Sequence, residues 1–398
     1  MSHLTFSSKY YLEIIKHLRD YGGGTRIIGG AVRDAILGIS GADIDIATDL
    51  LPDDVTTALN NHNIKVIPTG IKFGTVTAFV KGESFEITTL RRDISCDGRR
   101  ANVEYTDDFE EDAERRDFTI NAISYCPFED KIYDYFGGTQ DIKRGKVVFI
   151  GDTHARIRED YLRILRFFRF SCRYAKTVDK DALNACIDNK SHLPYLSRER
   201  IKSEIDLLIL LPNSSKILLL MYESGILSEL FPKWQYDEKS HINALKFAKS
   251  FYTNLNKITI YTMMCMHLDY VSYPQLLDLK FSRSEANEII KMLKFKEIKN
   301  LTKLELELKK IWIEGKSYEQ YFVFSSLIAD DVSFILNLYQ KLKNIDKPVF
   351  PVTGRDIMSL GYYGKEVGKY LDLMKQKWIM SDFVLDKSSL IKLAKDHH

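Results

Sequence analysis

The amino-acid sequence predicts an α+β protein, with a small domain on a mixed sheet followed by a chain that is helical to its end. In about the first 150 residues, short β-branched and aromatic runs alternate with turn residues, as strands do. From about Thr153 onward, apolar residues recur at helical spacing and strand candidates become few. No internal repeat or low-complexity linker divides the 398 residues.

The elements of the first part can be placed individually. The predicted strands are Arg26–Ile28, Asp43–Asp45, Ile64–Ile67, Thr75–Val80, Phe85–Leu90, Val103–Tyr105, Lys131–Tyr135 and Val147–Ile150. The predicted helices are Ser8–Tyr21, Gly30–Leu37, Pro52–Asn60 and Thr119–Tyr125. Turn-like stretches separate the later helices at Leu211–Ser214, Phe231–Trp234 and Lys347–Gly354. A mixed α/β domain therefore precedes an all-helical remainder.

Composition bounds the compartment and the partners. The chain carries 57 Lys and Arg against 55 Asp and Glu, so affinity for nucleic acid must come from clustered charge. Its five cysteines form no CxxC pair and no Cys/His cluster at zinc spacing, which favours a reducing compartment, the cytoplasm. The first residues read as an amphipathic helix without a signal peptide's apolar stretch, and no run approaches the about 18 apolar residues of a membrane span.

A glycine pair lies between a predicted strand and a predicted helix, in Arg26-Ile-Ile-Gly-Gly-Ala-Val-Arg-Asp34. Because Gly29 and Gly30 lack Cβ atoms, backbone N–H groups can approach a phosphate at the positive end of the helix. A Gly-Gly turn is also common in proteins that bind no nucleotide. The nearby Asp43-Ile-Asp45 favours the phosphate-binding interpretation.

Asp43 and Asp45 are separated by one residue, which puts both carboxylates on one face of a strand while the isoleucines between and after them point into the core. Two hard oxygen ligands suit Mg²⁺, which takes its other ligands from water and phosphates. Two solvated aspartates at a strand edge are the alternative. Glu86 alternates with apolar neighbours and is either a third carboxylate of the site or a plain exposed strand residue.

The segment Glu159–Phe170 predicts one amphipathic helix. At about 100° per residue, its apolar residues share one face, the initial glutamate, Arg163 and Arg166 lie opposite, and Asp160 and Arg169 lie on the flanks. An ion pair between the glutamate and Arg163 would be an ordinary surface interaction. It leaves Arg166 and Arg169 without an acid in the next turn, and unpaired arginines suit a polyphosphate or a base edge.

Five motifs carry a family resemblance. Gly29-Gly-Ala-Val-Arg-Asp34 with Asp43-Ile-Asp-Ile-Ala-Thr48 resembles the opening signature of the polymerase-β nucleotidyltransferase superfamily, in its class II tRNA nucleotidyltransferase and bacterial poly(A) polymerase branch. The later motifs follow in the branch's order at Arg115-Arg-Asp-Phe-Thr-Ile-Asn-Ala122, Asp134-Tyr-Phe-Gly-Gly138, Glu159-Asp-Tyr-Leu-Arg163 and Leu196-Ser-Arg-Glu-Arg-Ile201. The resemblance implies a polymerase-β-like head followed by an all-α neck, body and tail, which we assign to residues 1–150, 151–215, 216–300 and 301–398.

The resemblance also implies the roles of residues. Asp43 and Asp45 would hold the catalytic Mg²⁺, and Asp160 with Arg163 would act as a protein template that hydrogen-bonds the base of CTP or ATP. Arg116 would contact the triphosphate. The residues implied to bind the nucleotide are Gly30, Arg33, Arg116, Asp160, Arg163, Arg166 and Arg169. Asp117 either lies near the ribose or caps a helix that starts at Thr119.

The implied activity is addition of CCA to the 3′ end of tRNA from CTP and ATP. Arg91–Ala101 is predicted to be a mobile loop, and in CCA-adding relatives a flexible loop here helps the site change from CTP to ATP. Basic residues of Lys299–Lys395 either line a solvated helix face or contact the tRNA acceptor arm. A poly(A) polymerase is the alternative within the branch, and a non-catalytic RNA-binding protein is the alternative outside it.

Overall fold

A computed structural model describes residues 4–97, 100–315 and 317–395, with side chains for all of these except 93–97 and 100–103. The chain divides into two compact units, Met1–Pro232 and Lys233–His398. The four-part division into head, neck, body and tail cuts within both units and stays a prediction.

The first unit contains a mixed sheet. Its strands are β1 Thr25–Ile28, β2 Asp45–Thr48, β3 Lys65–Gly70, β4 Thr75–Val80, β5 Glu83–Thr89, β6 Arg91–Asp97, β7 Arg100–Tyr105, β8 Ser124–Cys126 and β9 Lys131–Tyr133. Seven of them form one sheet in the order β3-β4-β5-β2-β1-β8-β9, and β6 pairs with β7 in a separate two-stranded sheet. In the large sheet β2 and β5 run parallel, whereas the other neighbours are antiparallel. The predicted mixed sheet is therefore confirmed.

Helices complete the first unit. They are α1 Tyr11–Asp20, α2 Gly30–Ile36, α3 Pro52–Asn60, α4 Phe109–Glu114, α5 Gly138–Arg144, α6 Thr153–Glu159, α7 Leu162–Tyr174, α8 Lys180–Asp188, α9 Arg198–Ile209, α10 Ser214–Glu223 and α11 Ile226–Leu230. Helix α3 begins with proline, whose missing N–H costs nothing in the first turn. The predictions for α1, α2 and α3 are confirmed to within three residues at each end.

The strand register explains where the carboxylates lie. Ile27, Ile46 and Ile87 are register partners across β1, β2 and β5, and all three are buried. Because successive side chains of a strand point to opposite faces, the neighbouring row lies on the other face. In that row Asp45 is the register partner of Glu86. The apolar row fixes the register, and the register brings the two carboxylates together.

Three local predictions in the first unit are wrong. Thr119–Tyr125 is a 3₁₀ turn at Thr119–Asn121 followed by β8, and Val147–Ile150 contributes one bridge, between Phe149 and Phe118. Most of the predicted loop Arg91–Ala101 lies in β6 and β7, which pair antiparallel. Residues 98 and 99 of that prediction lie outside the described residues. Strand β8 and the Phe118–Phe149 bridge depend on partners far away in the sequence, which local patterns do not report. Strands β6 and β7 pair with each other, although their polar composition predicted a loop.

The second unit is helical. Its helices are α12 Glu238–Ser250, α13 Lys257–Cys265, α14 Tyr273–Asp278, α15 Arg283–Leu293, α16 Leu301–Glu314, α17 Tyr318–Ile328, α18 Val332–Lys343, α19 Gly354–Met358, α20 Lys365–Met380 and α21 Lys387–Lys395. Its described residues form no strand, which agrees with the predicted helical remainder. Met374, Trp378 and Leu390 belong to a buried cluster that joins α20 to α21. Within the described chain, no helix has the length and apolarity to cross a membrane.

Candidate active site

A cavity of about 420 Å³ lies in the first unit, between the β1–α2 turn and α7. It is lined by Gly29, Gly30, Arg33, Asp45, Arg116, Asp117, Asn121, Asp160, Arg163, Arg166, Arg169 and Phe170. Five of these residues are arginines, so the cavity suits a polyanionic ligand. The residues predicted to bind a nucleotide are brought together here, together with Asp45. Asp43 and Glu86 are not among the lining residues.

The β1–α2 turn depends on glycine at its first position. Gly29 has φ +67° and ψ −126°, a backbone conformation that residues with a side chain rarely adopt. A Cβ built on Gly29 would lie 3.3 Å from a terminal nitrogen of Arg116. The turn carries the N-terminus of α2 to the wall of the cavity, where the predicted glycine pair lies.

The carboxylates of the site surround the start of β2. Asp43 is exposed and precedes the strand, which begins at Asp45, so the prediction that one strand carries both is wrong in that detail. The isoleucines at 44 and 46 are buried, as predicted. Burial, the adjacent Glu86 and, more weakly, Asp43 raise the pKa of Asp45 from 3.8 to about 6, against the opposing effect of Arg116. Asp45 therefore lies in an excess of negative charge.

This donor set fits a divalent cation. Within the described chain, the side chain of Asp45 makes no hydrogen bond or ion pair, and the charges of Glu86 and Asp43 both raise its pKa. No three His, Cys, Asp or Glu side chains of the described residues converge tightly enough to hold a metal ion by themselves. A cation here would take its remaining ligands from water or from phosphates, as Mg²⁺ does.

Arg33 is a buried arginine at the wall of the cavity. Its Nε donates to the Asp34 carboxylate at 2.8 Å, and its terminal nitrogens donate to Oδ1 of Asn121 at 2.5 Å and to the Tyr174 hydroxyl at 2.6 Å. The buried Asp34 also accepts from Tyr174 at 3.0 Å. These contacts join α2 to α7 and fix the direction of the guanidinium.

Arg116 is held by a carboxylate from the preceding helix. Asp112 of α4 accepts from Arg116 at 2.9 Å and from Arg115 at 2.7 Å. Burial opposes ionisation of Asp112, but Arg116 and Arg115 outweigh it and hold the pKa of its carboxyl below the ordinary value. Arg115 also donates to the Arg91 carbonyl at 3.1 Å, at the start of β6.

Asp117 does not cap a helix. The 3₁₀ turn that follows begins after Phe118, with no side-chain cap. Asp117 accepts instead from Nδ2 of Asn121 at 2.8 Å and from Nε of Arg166 at 2.6 Å. Burial raises the pKa of Asp117, yet Arg166 and these hydrogen bonds bring it below the ordinary value. Its carboxylate is thus kept ionised at the cavity wall.

The predicted helix Glu159–Phe170 is broken at its start. Helix α6 ends at Glu159, Asp160 adopts an extended conformation with φ −155° and ψ 105°, and α7 begins at Leu162. The predicted ion pair between Glu159 and Arg163 forms, at 2.5 Å. Arg163 is buried rather than surface-exposed, and it also donates to the Arg156 carbonyl at 2.8 Å.

Arg166 and Arg169 are not unpaired, which corrects the sequence-based expectation. Arg166 pairs with Asp117, and Arg169 pairs with Glu204 of α9 at 2.6 Å. Both guanidinium groups lie over the ring of Phe170, at 5.2 and 4.5 Å from its centroid. These partners come from elsewhere in the chain, so counting acids in the next helical turn misses them.

Sequence reasoning missed several supporting residues, although two left a signal. Glu204 is buried and shares the apolar stripe of α9 with Ile201, Ile205 and Leu208. A carboxylate on such a stripe indicates a buried ion pair. Asn121 lies inside the motif Arg115–Ala122, which was recognised from the sequence without assigning a role to Asn121.

The motif at 134–138 has a structural role in this fold. Asp134 accepts from the backbone N–H groups of Gly138 and Thr139, both at 2.8 Å, and so holds the N-terminus of α5. A Cβ on Gly138 would lie 2.1 Å from the Thr119 carbonyl oxygen, which explains the glycine. The motif thereby fixes the 3₁₀ turn that bears Asn121.

Comparison with known proteins gives the class first. Residues 25–148 match the family model of the poly A polymerase head domain, and residues 177–237 match that of the probable RNA and SrmB-binding site of polymerase A. Together with the arginine-lined cavity beside acidic strand residues, these matches define a nucleotidyltransferase of the polymerase-β type.

Relatives that are similar over nearly the whole chain show which family it belongs to. The chain is 33% identical over 393 residues to the mitochondrial CCA tRNA nucleotidyltransferase 1 of Danio rerio, across 92% of this chain and 86% of that protein. It is also 33% identical to the Homo sapiens protein of that name, across 93% and 86%. A solved Bacillus stearothermophilus CCA-adding enzyme in complex with CTP has a TM-score of 0.77 and 25% identity, covering 97% of this chain and 96% of that one. The chain belongs to the CCA tRNA nucleotidyltransferase family, and this membership implies use of a divalent metal ion.

Proposed function

We propose that this chain adds CCA to the 3′ end of tRNA, using CTP and ATP and releasing pyrophosphate. The relatives reported above carry this activity in their names, and one of them was solved with CTP. The observation that carries the proposal is the cavity itself, in which five arginines and the acidic start of β2 face one space. That combination suits a nucleoside triphosphate beside a metal ion.

We propose Mg²⁺ as the metal, held by Asp43 and Asp45, with Glu86 as a third carboxylate nearby. Bound Mg²⁺ would lower the pKa of the attacking hydroxyl and neutralise charge on the leaving pyrophosphate. The carboxylates position the reacting centre next to the cavity. The 3′-hydroxyl of the tRNA attacks the α-phosphate in line, a P–O bond forms to the RNA, and the bond to pyrophosphate breaks.

The nucleotide is assigned to the rest of the cavity. Arg116 and Arg33, each fixed by a protein acceptor, are proposed to bind the triphosphate, with the N-terminal amides of α2 around Gly30 beside it. Arg166 and Arg169 are proposed to lie along the nucleotide. Asp117 lies between these groups and is proposed to contact the ribose, as its acceptor oxygens would allow.

Asp160 and Arg163 are proposed to read the base. A carboxylate accepts and a guanidinium donates, so together they complement the hydrogen-bonding edges of cytosine and adenine. Both side chains face the cavity.

The tRNA is proposed to bind through phosphate contacts and acceptor shape, with the helical tail 301–398 among the contacting parts. Lys365, Lys369 and Lys375 of α20 supply basic groups there. Cytoplasmic localisation is likewise proposed, since the described cysteines are free and buried.

One assay tests the function. The protein is incubated with a tRNA transcript that lacks CCA and with an unrelated RNA, with Mg²⁺ and with CTP and ATP separately and together. The expected result is C, C and then A on the tRNA alone. Long A-tails on both RNAs would instead indicate a poly(A) polymerase. Asp45→Asn should be inactive, whereas Asp53→Asn, an exposed aspartate of α3, should keep wild-type activity.

A further inference from the structure

The carboxylate of Asp160 is clamped on both of its oxygens. Oδ1 accepts from the backbone N–H of Leu162 at 3.1 Å, and Oδ2 accepts from a terminal nitrogen of Arg200 at 2.6 Å. Asp160 itself lies in the extended elbow between α6 and α7. An elbow residue outside both helices has no helical neighbours to fix its side chain, so the two contacts determine where the carboxylate points.

Arg200 comes from a rigid element. It lies in the first turn of α9, which packs against α7. Ile201 and Ile205 on the same helix are buried. Glu204, four residues after Arg200, holds Arg169 of α7 at 2.6 Å. Two successive turns of α9 therefore contact residues that line the cavity: Arg200 contacts Asp160, and Glu204 contacts Arg169.

The clamp leaves acceptor capacity on Asp160. A carboxylate offers about four lone-pair sites, and the described contacts use two of them. Arg163 is satisfied in the same partial way. Of its five N–H donors, one goes to the Arg156 carbonyl, one to Glu159 and one to the Arg115 carbonyl. Asp160 therefore keeps acceptor capacity and Arg163 keeps two N–H donors, and both side chains are held in fixed positions on one wall of the cavity.

A fixed carboxylate discriminates between bases. Cytosine and adenine carry an exocyclic amino group, which donates, whereas uracil and guanine carry a carbonyl oxygen at the corresponding place. An ionised carboxylate only accepts. A carboxylate that is held in place accepts a hydrogen bond from the amino group and repels the carbonyl oxygen. A carboxylate that is free to turn away loses that selectivity.

We infer that Arg200 is a specificity-determining positioning residue, which clamps Asp160 so that the site accepts CTP and ATP and rejects UTP and GTP. This inference rests on the proposed function, in which Asp160 reads the base. Arg200 acts through Asp160. A merely structural tie between α9 and the elbow would affect all four nucleotides alike.

The test compares variants by nucleotide binding and by incorporation. Arg200→Gln removes the charge, Arg200→Met keeps the aliphatic stem, and Arg200→Lys keeps the charge without the planar fork. Arg198→Gln is the matched control, because Arg198 lies in the same helical turn and donates to the Leu230 carbonyl rather than to Asp160. Affinities for CTP, ATP, UTP and GTP are measured by calorimetry with Mg²⁺ and without RNA, and misincorporation is then measured on tRNA.

We expect Arg200→Gln and Arg200→Met to reduce the preference for CTP over UTP, and for ATP over GTP, by about 10-fold. Arg200→Lys should recover part of that preference, and Arg198→Gln should keep all of it. Thermal melting identifies a variant that fails to fold. If either Arg200→Gln or Arg200→Met fails to fold, the nucleotide preference of the other one tests the inference. Unchanged preference in a folded variant, or an equal loss for all four nucleotides, would overturn the inference. The proposed function fails separately, if the wild-type protein adds no CCA to tRNA.

Discussion

Asp45→Asn should stabilise the metal-free protein while abolishing its activity. The pKa of Asp45 is raised from 3.8 to about 6, chiefly by burial and by Glu86, so ionised Asp45 disfavours the folded state. The difference corresponds to about 3 kcal/mol of unfolding free energy at pH 8. The side chain keeps some solvent contact, so we expect about half of this, or about 3–6 °C in the melting temperature of a unit of this size.

The pH dependence has a definite sign. Above about pH 6, Asp45 is ionised in both the folded and the unfolded state, and the folded state bears the full cost. Below its ordinary pKa it is protonated in both states and the cost disappears. The advantage of Asp45→Asn over wild type should therefore be largest at pH 8 and fall to about half at pH 5.

Thermal melting in EDTA, followed by fluorescence at both pH values, measures this difference. Asp43→Asn is the comparison, since Asp43 is exposed and precedes the strand. It should leave the melting temperature nearly unchanged in EDTA. Both variants should lose the stabilisation that Mg²⁺ with CTP gives to wild type. An Asp45→Asn protein that melts at or below the wild-type temperature in EDTA at pH 8 would refute the reasoning.

Three further outcomes are expected. Asp112→Ala removes the buried acceptor of Arg115 and Arg116, so steady-state kinetics should show KM for CTP and ATP raised by about 10-fold, with a lower melting temperature. The pKa of the Asp112 carboxyl is lower in the folded protein than its ordinary value. Its contribution to the free energy of unfolding should therefore be complete at pH values above the ordinary pKa, and should be lost as the pH falls through the folded-state pKa. Gly29→Ala should destabilise the first unit by about 1–3 kcal/mol in urea unfolding, because φ is +67° there. Chelation of divalent metal should stop nucleotide transfer, and added Mg²⁺ should restore it in the extension assay.

Much of the fold follows from local patterns. Short β-branched and aromatic runs predicted β1, β4 and β5, and helical spacing with an initial proline predicted α3. Strand β8 was missed because it pairs with β1, which lies far from it in the sequence and outside any window of neighbouring residues. Strands β6 and β7 form a local hairpin with each other, but the polar composition of the segment predicted a loop instead.

The site divides in the same way. Composition and motifs identified the arginines and aspartates that line the cavity, but they gave no partner for two of the arginines. Arg166 and Arg169 looked unpaired in their own helix, yet each has a carboxylate from another element. A helical wheel lists neighbours on one helix, whereas these ion pairs bridge separate elements.

The sequence by itself determined the classes of element, the residues that could carry the chemistry and the family they resemble, because periodicity and motifs are written within short segments. The tertiary structure decided which groups act together. Asp45 meets Glu86 because β2 and β5 are parallel neighbours, and Asp160 meets Arg200 because α9 packs against α7. Such meetings depend on strand register and helix packing, which the whole core determines and no local segment contains.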